Sequence, residues 1–321
     1  MSGPAAAEAA SGARRIELVG VGCVLISALA LAFKGILAKY IFAEGVDVVT
    51  LLAVRYGLAF PMMVLAAAAL RGGFANLAMA PRDFLYAAAG GLIGYYIAGY
   101  LDFTALELID VSVERVLLFS FPVFVLAFDA VRRRRWPPAR QLVALVGAEA
   151  GIILVMGATE ADIFFANLVG GLWAIGSAFV FAIYFMINQA LGPRLGSARM
   201  AMGAVTGAVI GTTAQFVAST PMASLAMSWT AFAMIAAMAL FCSVLPFLLI
   251  TEGIRRVGAS RSALISTVGP VSTLILAALL LGETMVPSQL AGAALVIVAI
   301  LALEGKLPPI FRRAERSRSI R

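Results

Sequence analysis

Histidine is absent from the 321 residues. That excludes an imidazole general base, a histidine proton relay and the commonest zinc ligand sets, so no metal site is expected. No Gly-x-x-x-x-Gly-Lys-Ser/Thr loop occurs, and nothing in the chain is built to cradle ATP. Charge is scarce too: 13% of residues are Asp, Glu, Lys or Arg, against about 25% in a soluble domain. No pair of carboxylates lies at the middle of one apolar run, which removes the usual means of a histidine-free intramembrane enzyme. Neither enzymatic activity nor a cofactor is expected. Cys23 and Cys242, the two cysteines, both fall inside apolar runs and read as small hydrophobes rather than a disulfide.

What replaces charge is apolar surface, 62% of the chain, with a mean hydropathy of +1.01. It is gathered into runs at 18–42, 48–70, 84–104, 111–131, 138–158, 167–190, 200–219, 229–251, 262–282 and 286–305. Runs of about 20 residues cross a hydrocarbon core as helices. A β-barrel would need alternating segments of about ten residues. Arg14-Arg15 before the first run resembles a signal-peptide start, but the run is too long for a signal core and reads as an uncleaved span.

Alternate loops separate by charge. One side, counted from the N-terminus, collects Arg14, Arg15, Arg71, Arg82, Arg132 to Arg135, Arg140, Arg194, Arg199, Arg255, Arg256, Arg261, Lys306 and the arginines of the tail, 20 of the 24 basic residues. The other side holds Glu44, Asp47, Glu107, Asp110, Glu160, Asp162 and Glu283. Basic residues in short loops mark the cytoplasmic side, so both termini are expected inside, in a bacterial-type inner membrane. The net charge of +7 then follows from topology. It needs no nucleic-acid partner, and the basic tail would meet anionic lipids of the cytoplasmic leaflet.

Ser112, Pro122, Gln141 and Leu142 are matched by Ser260, Pro270, Gln289 and Leu290, all at an offset of 148 residues. Five spans separate the copies, so the second would enter the bilayer inverted. Inverted repeats with helices interrupted at matching places are the architecture of secondary transporters. The expected fold is therefore an all-α membrane protein of ten transmembrane helices, arranged as two inverted five-helix repeats. Residues 1–17 form a cytoplasmic tail, 18–158 the first repeat, 167–305 the second and 306–321 a basic tail.

This pattern, together with a small-Ser-x(9)-Pro motif in the fourth and ninth runs, resembles the drug/metabolite transporter superfamily, and within it the EamA-type carriers. Gly282-Glu283-Thr284 is the best local match, since that family commonly closes its ninth helix with Gly-Glu. The first-half counterpart, Ala130-Val131, runs instead into four arginines. The tyrosine-rich third run and Lys34 resemble the aromatic amino-acid exporter branch. The resemblance implies a small-molecule substrate and no cofactor, and a monomer is plausible.

Several residues are candidates for the pathway. Pro122, Pro270 and Pro246 free a carbonyl and bend their helices, as hinges, cavity lining or plain kinks. Tyr95 and Tyr96 lie too deep for an interfacial belt and would line a cavity or pack. Trp173, Ser177, Phe181, Tyr184 and Asn188 draw one helical stripe of mixed polar and aromatic character, and Phe33 could face it. Buried ionisable groups are functional candidates by default. Lys34 could meet a substrate carboxylate or snorkel. Glu149 could carry a coupling proton or make a structural hydrogen bond. Lys39, Arg55, Glu114 and Arg115 are expected to pair with one another or with Asp102 and Asp110. The expected function is a secondary transporter that exports small neutral metabolites by alternating access, foremost amino acids including aromatic ones. A multidrug or nucleotide-sugar exporter of the same fold is the alternative, and a lipid scramblase or channel a more distant one.

Overall fold

A computed structural model describes residues 4–134, 139–157, 160–257, 262, 265–266 and 268–303. All regular structure among the described residues is helical. Ten principal helices follow the ten apolar runs: α1 (Pro4–Ala43), α2 (Val48–Arg71), α3 (Pro81–Leu108), α4 (Val111–Leu118, resuming as Phe121–Arg133), α5 (Ala139–Val155), α6 (Ala161–Leu195), α7 (Ser197–Ser219), α8 (Trp229–Val257), α9 (Val268–Leu281) and α10 (Pro287–Leu303). Seven stretches, in α1 to α4 and α6 to α8, are long and apolar enough to cross a membrane, and α5, α9 and α10 contain shorter apolar helices. The first helix reaches back to Pro4, past the Arg14-Arg15 pair expected to precede it.

The ends are set by local chemistry. The Asp47 carboxylate caps α2 by accepting from the Thr50 amide at 2.9 Å, and Ser228 caps α8 by accepting from the Ala231 amide at 3.0 Å. Gly72 closes α2 in the left-handed conformation.

The 148-residue offset is written into the backbone. A π-helical stretch covers Leu92–Ile97 in α3, and another covers Leu240–Val244 in α8. Single 3-10 turns occupy Phe74–Leu77 and Met222–Leu225. Two buried serines add a further pair. Ser177 on α6 donates to the Ala98 carbonyl at 2.7 Å, and Ser27 on α1 donates to the Pro246 carbonyl at 3.0 Å. Ala98 and Pro246 are themselves 148 residues apart.

The first helix of each half packs on the other half: α1 against α8 and α9, and α6 against α3 and α4. Further pairs are α2 with α7 and α8, α3 with α7, and α5 with α10. Small residues permit these approaches. A Cβ on Gly91 would lie 1.8 Å from the Ala204 carbonyl oxygen, and one on Gly207 would lie 1.8 Å from that of Ala88. Between the halves this packing leaves a cavity.

Candidate functional site

The cavity has a volume of about 160 Å³ and is bounded by α1, α2, α3, α4, α6, α8 and α9. One wall is aromatic. The Tyr95 and Phe247 rings stack at 4.0 Å between centroids, and Tyr184 tilts against Tyr95 at 4.8 Å. The Tyr95 and Tyr184 hydroxyls are 2.7 Å apart, and the Asn188 amide donates to Tyr184 Oη at 3.0 Å. Phe121, Phe181 and Phe185 continue the wall through edge and tilted contacts. Gly94 makes this possible, because a Cβ there would fall 2.3 Å from the Tyr184 Cβ. The π segments contribute carbonyls that no longer match an α-helical ladder. Tyr56 donates to the Tyr95 carbonyl at 3.0 Å, and Arg55 Nη2 to the Cys242 carbonyl at 3.0 Å.

One end of the cavity is charged. Lys34 Nζ pairs with Asp102 Oδ2, both buried. Arg55, 2% exposed, donates from Nε to Ser243 Oγ at 2.7 Å and lies over the Tyr56 and Phe103 rings at 5.1 and 5.2 Å. Arg115 Nε is 3.9 Å from Glu114 Oε2, too long for a hydrogen bond, and Nη2 reaches the Leu31 carbonyl at 3.4 Å. Asp102 Oδ1 and both Glu114 oxygens are buried and accept from no amide, hydroxyl or basic side chain among the described residues, the two carboxyls lying close to each other.

Past that end, the halves are joined by Glu283, in the α9–α10 connection. Its carboxylate accepts from the amides of Val111 and Ser112, each at 2.9 Å, and from Ser112 Oγ at 2.7 Å, capping α4 of the other half. Asp110 is close by. Partial burial and the Glu283 carboxylate raise its carboxyl above the ordinary aspartate range, with Lys39 opposing them.

Of the residues singled out in the sequence, Lys34, Arg55, Tyr95, Arg115, Ser177, Phe181, Tyr184, Asn188 and Pro270 line the cavity. Lys34 is occupied by Asp102, however, and Ser177 by the Ala98 carbonyl. Pro246 is buried in α8 just past the π segment. Pro122 follows the break in α4 at Phe119-Ser120, and its side chain lies outside the described residues. Tyr96 turns away from the cavity toward α7, where a Cβ on Gly211 would meet its ring at 2.4 Å. Phe33 and Trp173 are 44% and 36% exposed, off the cavity wall. Glu149 is exposed on α5, also off the wall. Arg55 departs from its expected ion pair, because the π segment of α8 offers it neutral acceptors instead. Asp102, Tyr56 and Phe247 were not picked out as lining. The signal for Asp102 was its place three and seven residues beyond Gly99 and Tyr95, on the same helical face.

An EamA-like transporter family model matches residues 18–157 and again 168–304. The chain belongs to the EamA-like transporter family. It is therefore an integral membrane transporter and not an enzyme. It is 31% identical over 296 residues to the uncharacterized transporter YcbK of Bacillus subtilis (strain 168), covering 90% of this chain and 94% of that one. A solved structure titled only as the crystal structure of a protein superposes with a TM-score of 0.61 over 91% of this chain and 97% of that one. At 17% identity it bears on the fold alone. In this EamA-family chain the two matched stretches meet at the cavity.

Proposed function

We propose that the chain is a secondary transporter that exports small neutral metabolites, foremost amino acids including aromatic ones, by alternating access. Its ten helices would span an inner membrane as two inverted repeats, 18–158 and 167–305, with both termini cytoplasmic. The carrying observation is the aromatic-walled cavity at the contact of the two halves, flanked by both π segments. Discontinuous helices at a repeat interface are where such carriers bind their cargo. The volume of about 160 Å³ lies below the ~300–1,000 Å³ of drug-sized pockets, which favours a small metabolite over a large drug or a nucleotide sugar. The break in α4 and the two π segments supply the points at which helices bend. With Glu283 fastening one end, the cavity would be reached from the other.

Counterflow in proteoliposomes tests this reading. Vesicles preloaded with unlabelled phenylalanine, methionine or threonine should accumulate the labelled form saturably. No exchange of any of the three by folded protein would remove the amino-acid assignment.

A further inference from the structure

Among the described residues five charged side chains are buried: Lys34, Arg55, Asp102, Glu114 and Arg115. Three are cations and two are carboxylates, so the charged end of the cavity carries an excess positive charge. Lys34 has Asp102 and Arg115 has Glu114 within 4 Å, whereas no carboxylate of the described residues forms an ion pair with Arg55. Among the described residues its bonds go to a hydroxyl and a carbonyl, and the side chain lines the cavity. A desolvated, uncompensated guanidinium is costly, and its planar fork matches a carboxylate. No acceptor of comparable charge is open to a cationic ligand here. Asp102 Oδ2 is held by Lys34, while Asp102 Oδ1 and both Glu114 oxygens are sealed from solvent.

We propose that Arg55 anchors the carboxylate of the substrate, so that the cavity takes small monocarboxylates with an apolar or aromatic body, of which amino acids are one kind. The carboxylate would complete the charge at Arg55, and the body would lie against Tyr95, Tyr184 and Phe247. This rests on the cavity being the substrate site.

The test is ligand-induced thermal stabilisation of the purified full chain in detergent, with four probes: 3-phenylpropionate, phenylalanine, phenylalaninamide and phenethylamine. Both carboxylates should stabilise the protein, and the amide and amine should bind at least tenfold more weakly. Arg55→Gln should weaken carboxylate binding on the order of 10- to 100-fold, the range for a hydrogen bond to a charged group, with Arg55→Lys in between. Because Arg55 also holds the π segment of α8, the wild-type probe ranking stands as evidence even where a variant misfolds. Equal or stronger binding of phenethylamine and phenylalaninamide would overturn the anchor while keeping an aromatic cavity. Binding of 3-phenylpropionate without phenylalanine would keep the anchor and refute the amino-acid reading. Stabilisation by none of the four would overturn both.

Discussion

In the first half a 3-10 turn lies at Phe74–Leu77, a π segment opens at Leu92 and a proline stands at Pro122; in the second the same features recur at Met222–Leu225, Leu240 and Pro270. Charge does not recur. At the same offset Arg55, Asp102, Glu114 and Arg115 are replaced by Gly203, Ile250, Ser262 and Ala263. The backbone devices are shared because helices of both halves must break their ladders beside one cavity. Among the described residues the buried charges all lie in the first half, where they mark one end of the cavity. A second asymmetry concerns the two ends of the bundle. Gly282-Glu283 closes α9 and caps α4, but at the offset of 148 the matching positions are Arg134-Arg135, within the arginine run beyond Ala130-Val131, and not Ala130-Val131 themselves. Arg134 keeps the left-handed backbone of Gly282, with φ of 50° against 68°. A basic side chain cannot cap a helix N-terminus as a carboxylate does.

The largest effect of substitution is expected at the α3–α7 seam. Gly91→Ala and Gly207→Ala would each drive a Cβ into a backbone carbonyl and should cost about 3 kcal/mol or more, read as loss of folded protein on heating in detergent. Gly99→Ala, whose nearest neighbour would be Tyr56 Oη at 3.8 Å, should leave thermal stability almost unchanged.

That seam shows what was legible in sequence and what was not. The run count, the charge partition and the offset of 148 were all readable, because burial in lipid demands long apolar helices and repeats conserve their spacing. Which face of each helix meets the cavity was not. Tyr95 and Tyr96 are adjacent, yet Tyr95 stacks on Phe247 while Tyr96 meets α7. A π segment shifts the facing of the residues around it, and no residue type announces one. Phe33 and Lys34 divide likewise, one exposed and one buried.

The latch gives the next effect in size. Glu283→Gln weakens a charge-assisted cap and should raise opening at that end about tenfold. Labelling of Gly99→Cys, in a background with Cys23 and Cys242 replaced, by an impermeant thiol reagent added from the Glu283 side reports it. Unchanged labelling would show that the cap does not govern access.

Arg134→Gly should stabilise the protein by about 1 kcal/mol, since glycine carries no left-handed penalty. Thermal unfolding in detergent reads it.

Asp110→Asn should be smallest, a few tenths of a kcal/mol, because the site is exposed and screened. Its sign is set by the raised carboxyl. Ionised Asp110 opposes Glu283, so the wild type is relatively more stable when Asp110 is protonated and loses that as pH rises through its folded pKa. The variant should therefore gain stability near neutral pH and lose the advantage on acidification below the ordinary aspartate range. A pH series of melting curves checks this.

Counterflow of labelled phenylalanine in proteoliposomes, compared between Tyr184→Ala and Phe33→Ala, tests the cavity between the halves most directly. Transport through it predicts saturable exchange that falls at least tenfold in Tyr184→Ala and stays at wild-type level in Phe33→Ala, whose side chain is exposed off the wall. Exchange that survives Tyr184→Ala intact, or fails equally in Phe33→Ala, would place the pathway elsewhere.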